Sequence, residues 1–318
     1  MVSAYVTNKM RNLRDAYSSA LIELGYKNED IVVLDADLAL STKTKRFGTV
    51  FPNRFFDMGI SEANMMGVAA GLATCGKIVF ASTFAVFATG RCYDQIRQSI
   101  AYPELNVKIV ATHAGISVGG DGASHQMLED IALMRVLPNM HVIAPADATE
   151  MEDVIPAIAN EPGPFYVRIG RADAPIIFER HRKFKIGKGY VLRDGDDISI
   201  IATGTMTAEA LKAYDLLKKN GIDARIIHMP NIKPIDRAMV RKAARETGCI
   251  ITAEEHSIIG GLGDAVSMAI SDKPVSMTRI GVDDVFGESG GARQLMEKYG
   301  LTAENMVKQA KKLIKAKK

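Results

Sequence analysis

Short apolar runs rich in Val and Ile recur along the first half of the chain: "IVVLDA" (31–36), "KIVFAS" (77–82), "VKIVAT" (107–112), "MHVIAP" (140–145) and "PFYVRI" (164–169). They are apolar throughout rather than alternating, which predicts strands covered on both faces. Between them "MRNLRDAYSSALIELG", "RCYDQIRQSIAY", "HQMLEDIALMRVL" and "ATEMEDVIPAIAN" place apolar residues at helical spacing. Strand and helix in alternation predict an α/β fold whose sheet is mostly parallel and flanked by helices.

At 172–187 the text changes to "ADAPIIFERHRKFKIG", with a proline, a charge cluster and no period, and a second alternation follows. It runs through "DISIIAT", "MTAEALKAYDLLKKNG", "DARIIHM", "DRAMVRKAARETG", "CIITAEE", "GLGDAVSMAI" and "PVSMTRIGV" to a last helix from about 303. The pattern predicts two domains of this type, 1–171 and a smaller one at 188–318, joined by a linker at 172–187, which a length of 318 residues also favours.

Composition narrows the function classes. The net charge of +3 comes from the six lysines of "KQAKKLIKAKK", and residues 1–307 sum to −3, so no nucleic-acid surface is expected. Cys75, Cys92 and Cys249 are odd in number and far apart, which fits neither a disulfide framework nor a CxxC metal site and points to a reducing, cytoplasmic setting. No apolar run reaches the roughly eighteen residues that span a bilayer, and the N-terminus lacks a signal pattern, so no membrane partner is expected.

Open parallel sheets bind ligands beyond the carboxyl ends of their strands. Asp35 and Asp37 follow the first strand, Glu62 follows "RFFDM", Thr83, Phe84 and Phe87 follow "KIVFAS", and His113 follows "VKIVAT". His113 opens "HAGISVGGDGASH", in which Gly115, Gly119, Gly120 and Gly122 allow positive φ, and which His125 closes; Asp121 lies inside it. The bland alternative is a turn with two solvent-facing histidines. His-x11-His with one Asp lacks the close ligand pair usual for zinc, so no metal ligands are expected. "GGLGD" (260–264) lacks the third glycine of a dinucleotide motif and reads as a turn into a helix.

"MGISEANMMGVAAGLATCG" (58–76) holds one ionisable carboxylate, Glu62, followed by fourteen uncharged residues. Ser61 reads as the N-cap of a helix buried all round, whose Gly67, Ala70, Gly71 and Ala73 suit close packing in a large interface. A first-turn carboxylate is commonly a dipole partner exposed to water. Here no cation stands in the segment, and a carboxyl buried without one tends to keep its proton, a property suited to acid–base catalysis.

"GISEANMMGVAAGLA", "STFAVFATGRCYDQIR", "GDGASHQMLEDIALMRVLPNMHVIAPAD" and "GVDDVFGESGGARQLMEKYGLTAEN" together resemble the C-terminal half of transketolases, over nearly the whole chain. The resemblance implies thiamine diphosphate as cofactor and transfer of two-carbon ketol units between sugar phosphates. It implies that Glu62 bonds the ring nitrogen of the aminopyrimidine, that Phe84 and Phe87 pack around that ring, and that Asp37 approaches it near a dimer interface. A dry Glu62, paired with no Lys or Arg, belongs to this reading. His113, Asp121 and His125 would face the sugar, and Arg14, Ser41 and Arg171 would hold its phosphate, a task suited to the planar fork of arginine; for Arg14 the alternative is a solvated helix face, for Ser41 an unremarkable loop residue, and periodicity alone would leave the two phenylalanines in the core.

The magnesium or calcium ion and the diphosphate would be held by a partner subunit that supplies the N-terminal transketolase domain. The "GDG" at 120–122 lies inside the histidine loop without the asparagine sequel of that domain. The implied assembly is a split transketolase of the pentose phosphate pathway, a homodimer core within a two-plus-two heterotetramer. Rivals with the same cofactor are the beta subunit of a 2-oxo-acid dehydrogenase and half of a deoxyxylulose-phosphate synthase; a catalytically silent scaffold is the rival of another class.

Overall fold

The structure, a computed structural model, describes residues 2–317. Its larger sheet has seven strands in the order Asn231–Lys233, His141–Ile143, Phe165–Arg168, Val107–Thr112, Ile78–Phe84, Ile31–Asp35, Phe55–Asp57. All neighbours run parallel except Asn231–Lys233, which is antiparallel to His141–Ile143. Successive side chains point to opposite faces, so Val32 and Leu34 join one core with Met65 and Ala69, while Ile31 and Val33 join another with Leu21, Val154 and Ile158. Helices Leu13–Lys27 and Ala148–Ala159 cover the second face, and Glu62–Thr74 lies on the first.

The smaller sheet runs Ser276–Val282, Cys249–Ser257, Ile198–Ala202, Ala224–His228, Tyr190–Arg193, with only Tyr190–Arg193 antiparallel. Periodicity missed short strands. Tyr190–Arg193 is a four-residue edge of mixed burial, and Asn231–Lys233 is a three-residue strand that crosses from the second alternation to cap the first sheet. The segment 172–187 contributes Ala174–Pro175, paired with Met10–Arg11, and then buries Ile177, Phe178 and Phe184.

A buried ionic cluster also ties the halves together. Glu150, fully buried on Ala148–Ala159, accepts from His228 Nε2 at 2.7 Å and from the amide of Ala146 at 2.8 Å, and pairs with Arg182. Burial alone would raise this carboxyl; His228 and Arg182 more than offset it and hold it below the usual carboxylate range.

Two predicted helices differ in detail. "RCYDQIRQSIAY" lies in a stretch wound as π-helix over Phe87–Arg91 and Ile96–Ala101, with a short α turn Tyr93–Gln95 between. "HQMLEDIALMRVL" becomes helical only at Asp130, because the amides of His125 and Gln126 turn back onto the Gly122 carbonyl. Among the described residues, no helix is long and apolar enough to cross a membrane.

Candidate functional site

The carboxyl ends of the larger sheet's strands form the rim on which the sequence places its chemistry. Ser61 precedes Glu62–Thr74, but its hydroxyl donates to the Met58 carbonyl at 2.7 Å and bonds no amide of the helix, so the expected side-chain cap is corrected. The helix is also not buried all round within the chain: Asn64, Gly67, Gly71 and Thr74 are exposed, and space beside both glycines is open.

Glu62 is buried, with 5% of its surface exposed, but the expectation of a cation-free carboxyl fails. Arg91 Nη1 donates to Glu62 Oε1 at 2.8 Å, from 29 residues along the chain. The partner lies on the π-wound turn after Ile78–Phe84, and its guanidinium also sits 4.1 Å from the centroid of the Phe87 ring. It stands outside the segment 58–76, whose own residues carry no cation.

Phe84, buried, stacks on the His113 ring at 3.7 Å and lies near-parallel to Phe87 at 5.7 Å, while His125 meets Phe87 edge-on at 5.5 Å. His113 is 3% exposed and has left-handed backbone (φ 58°), which rules out the solvent-facing turn for this residue. Burial, then the nearby Arg14 and Arg171, then His125, push its imidazole down to about 3, so it is neutral at physiological pH. Each histidine uses Nδ1 within the chain, on Thr112 Oγ1 (2.9 Å) and Ser124 Oγ (3.0 Å), which leaves Nε2 without a hydrogen bond among the described residues. Of the four loop glycines, Gly115, Gly119 and Gly122 take positive φ and Gly120 does not. The need is partly structural: a side chain on Gly119 would press on the Gly290 carbonyl at 3.2 Å.

Arg14, from Leu13–Lys27, donates Nε to Asn12 Oδ1 (3.0 Å), Nη1 to the Ser41 carbonyl (2.9 Å) and Nη2 to the Arg171 carbonyl (3.0 Å). Of the five guanidinium N–H groups, one on each terminal nitrogen is left uncommitted by these three bonds. Arg171 donates to the Val118 carbonyl at 2.8 Å and stands 3.5 Å from Asp121. Arg14 and Arg171 both line a cavity of about 400 Å³ between the two halves, with Asn12, Ser117, Gly120 and Asp173 among its other walls. Asp173 is engaged by Asn12 Nδ2 at 2.7 Å. Asp37 is exposed, has φ 60° and bonds Asp57 through its amide.

Residues 9–176 match the family description "Transketolase, pyrimidine binding domain", and residues 187–306 match "Transketolase, C-terminal domain". The chain belongs to the transketolase family. It is 54% identical over 302 residues to the "Putative transketolase C-terminal section" of Methanocaldococcus jannaschii, covering 94% of this chain and 95% of that relative. It is 43% identical to a 6-deoxy-6-sulfo-D-fructose transketolase subunit of a Clostridium species, covering 94% of this chain and 93% of that one. A solved "Split gene transketolase, inactive beta4 tetramer" superposes with a TM-score of 0.91 at 54% identity, over 96% of this chain and 99% of that one.

In this transketolase-family chain the rim is backed by further polar groups: Asp35, which the sequence places at a strand end without a role, and Gln126 and Arg168, which it does not single out. Asp35 is fully buried and accepts from the hydroxyls of Thr42 (2.6 Å) and Thr44 (2.8 Å) and the amide of Leu38 (2.8 Å), which shapes the loop bearing Asp37 and Ser41. Burial pushes its carboxyl up to about 6 despite those bonds. Gln126 Nε2, just after the histidine loop, donates to the Glu288 carbonyl at 2.8 Å, and Arg168 bonds Asp130 and the Glu255 carbonyl, both fastening the first half to the second. An arginine in the otherwise apolar "PFYVRI" was the available signal for the last. "GGLGD" is indeed a turn into the helix Leu262–Ala269, and Glu254 occupies its amides at Leu262 (2.6 Å) and Gly263 (2.8 Å).

Proposed function

We propose that this chain is the C-terminal subunit of a split transketolase that transfers two-carbon ketol units between sugar phosphates with thiamine diphosphate. The observation that carries the reading is the juxtaposition, on one rim, of a dry carboxyl (Glu62), two near-parallel phenyl rings (Phe84, Phe87) and two histidines with free Nε2 atoms. A flat nitrogen heterocycle fits that set, because the rings offer it a face and the carboxyl can exchange a proton with a ring nitrogen. When bound, thiamine diphosphate supplies the nucleophilic thiazolium carbon; the protein supplies binding, orientation and proton control.

Glu62 Oε holds the proton for the aminopyrimidine ring nitrogen, and Phe84 and Phe87 exclude water around it. His113, neutral, and His125 present Nε2 to the hydroxyl and carbonyl oxygens of the sugar, with Asp121 beside them. Arg14 and Arg171 take the substrate phosphate in the cavity between the halves, and Ser41 helps to close it. Asp37 approaches the cofactor from across a dimer interface. The diphosphate and its magnesium or calcium ion belong to the partner subunit, an assignment that the split form named for the solved relative supports. The domain limits 1–171 and 188–318, the homodimer core, the heterotetramer and a cytoplasmic location complete the proposal.

A sulfonated ketose is a second reading for the anion site, favoured by the identity to the sulfofructose transketolase subunit. The test is ketol transfer by the chain alone and mixed with its N-terminal partner, offered a pentulose phosphate, 6-deoxy-6-sulfofructose or pyruvate. Activity is expected only in the mixture and with an anionic ketose. Glu62→Gln should lower kcat by about 10²- to 10⁴-fold; full turnover by that variant would remove the centre of the reading.

A further inference from the structure

Glu62 and Phe87 are the two groups that the proposed reading assigns to the aminopyrimidine, and one side chain of this chain touches both. Arg91 bonds Glu62 Oε1 at 2.8 Å and lies 4.1 Å from the Phe87 ring centre. A guanidinium is flat, delocalised and cationic: it gives a carboxylate an N–H and an aromatic ring a face. Those are the contacts that a protonated aminopyrimidine would make. Resting on that reading, we propose that Arg91 is an internal stand-in for the pyrimidine ring, holding its two contacts in the cofactor-free chain and leaving them when the ring binds.

The surroundings suit such an exchange. An unpartnered carboxylate with 5% exposure is costly, so Glu62 gains from a cation. The Arg91 side chain is 53% exposed, which lets it return to water without a large desolvation change. Gly90 precedes it with open space where a side chain would be, and the π-wound turn Phe87–Arg91 gives the arginine its reach across to the helix of Glu62. The departure of Arg91 would restore the cation-free Glu62 that the chemistry calls for. The cost is a fixed competition: a site occupied by its own arginine binds cofactor more weakly than its contacts alone allow.

Calorimetric titration of thiamine diphosphate, with magnesium, into the complex of this chain and its N-terminal partner tests the idea without reference to turnover. Arg91→Ala should tighten binding about five- to tenfold, and Arg91→Lys, which keeps charge but not the planar fork, should fall between that variant and the parent. Glu62→Gln should weaken binding in both the parent and the Arg91→Ala background. If Glu62→Gln weakens binding but Arg91→Ala matches or falls below the parent, the stand-in is wrong and the function survives. If Glu62→Gln changes neither, the cofactor contact itself is misassigned and both proposals fall.

Discussion

The two sheets of this chain share a parallel architecture and differ in what their carboxyl rims do with polar groups. On the smaller sheet the buried carboxylates and histidines of the rim are taken up internally. Glu254 caps the amides of Leu262 and Gly263, Glu255 accepts from the Ser117 amide and Thr205 Oγ1, and His228 is held by Thr207 and Glu150 at its two nitrogens. On the larger sheet the rim keeps surplus capacity: two unspent N–H groups on Arg14 and free Nε2 atoms on His113 and His125. Fold alone therefore does not mark the site; unspent hydrogen-bonding capacity does.

The sharpest way to break this contrast is to remove a saturated group. Glu150→Ala leaves buried His228 and half-buried Arg182 without their carboxylate and should cost about 3–5 kcal/mol in denaturant unfolding. The Glu150 carboxyl is depressed, so its contribution is full at neutral pH and is lost as pH falls through the carboxylate range. A loss below about 1 kcal/mol would mean that the carboxylate holding His228 of the smaller sheet's rim is not structural in the sense argued.

A smaller effect is expected where a group with surplus capacity is removed. Arg14→Ala deletes a charged donor pair in the interdomain cavity and should raise KM for a phosphorylated ketose about 10- to 100-fold, the range of a charge-assisted hydrogen bond. The value of kcat should change little, and an unphosphorylated ketose should not sense the change. An equal loss on both substrates would assign Arg14 to holding the Ser41 and Arg171 carbonyls rather than to an anion.

What the sequence made legible divides along the same line. Strands such as "IVVLDA" and "VKIVAT" were readable because their apolarity is a local property, and the gathering of Glu62, Phe84 and His113 on one rim was readable because the carboxyl ends of parallel strands lie together. The partner of Glu62 was not, since Arg91 is reached only across a strand and a π-wound turn whose geometry no helical period encodes. The strand Asn231–Lys233 was missed because three residues carry no period, and its place is set by pairing with His141–Ile143. Saturation, too, is a long-range property: nothing in "CIITAEE" says that Glu254 will meet two amides eight and nine residues on.

The smallest effect pits two buried groups of the site rim against each other. His113 titrates near 3 in the fold against 6.5 when free, so the unfolded chain binds more protons between those values and stability rises with pH there. Asp35 titrates near 6 against 3.8 when free, so the folded chain binds more protons in nearly the same window and stability falls with pH there. Between pH 7 and pH 5 the histidine should cost about 2 kcal/mol and the aspartate should return about 1 kcal/mol, so roughly half of the histidine's cost is offset. His113→Asn should therefore leave a chain that gains stability on mild acidification relative to the parent, and Asp35→Asn one that loses more of it. Thermal or denaturant unfolding at the two pH values reads both, and parallel shifts in the two variants would show that these groups do not carry the opposed burial that the rim assigns them.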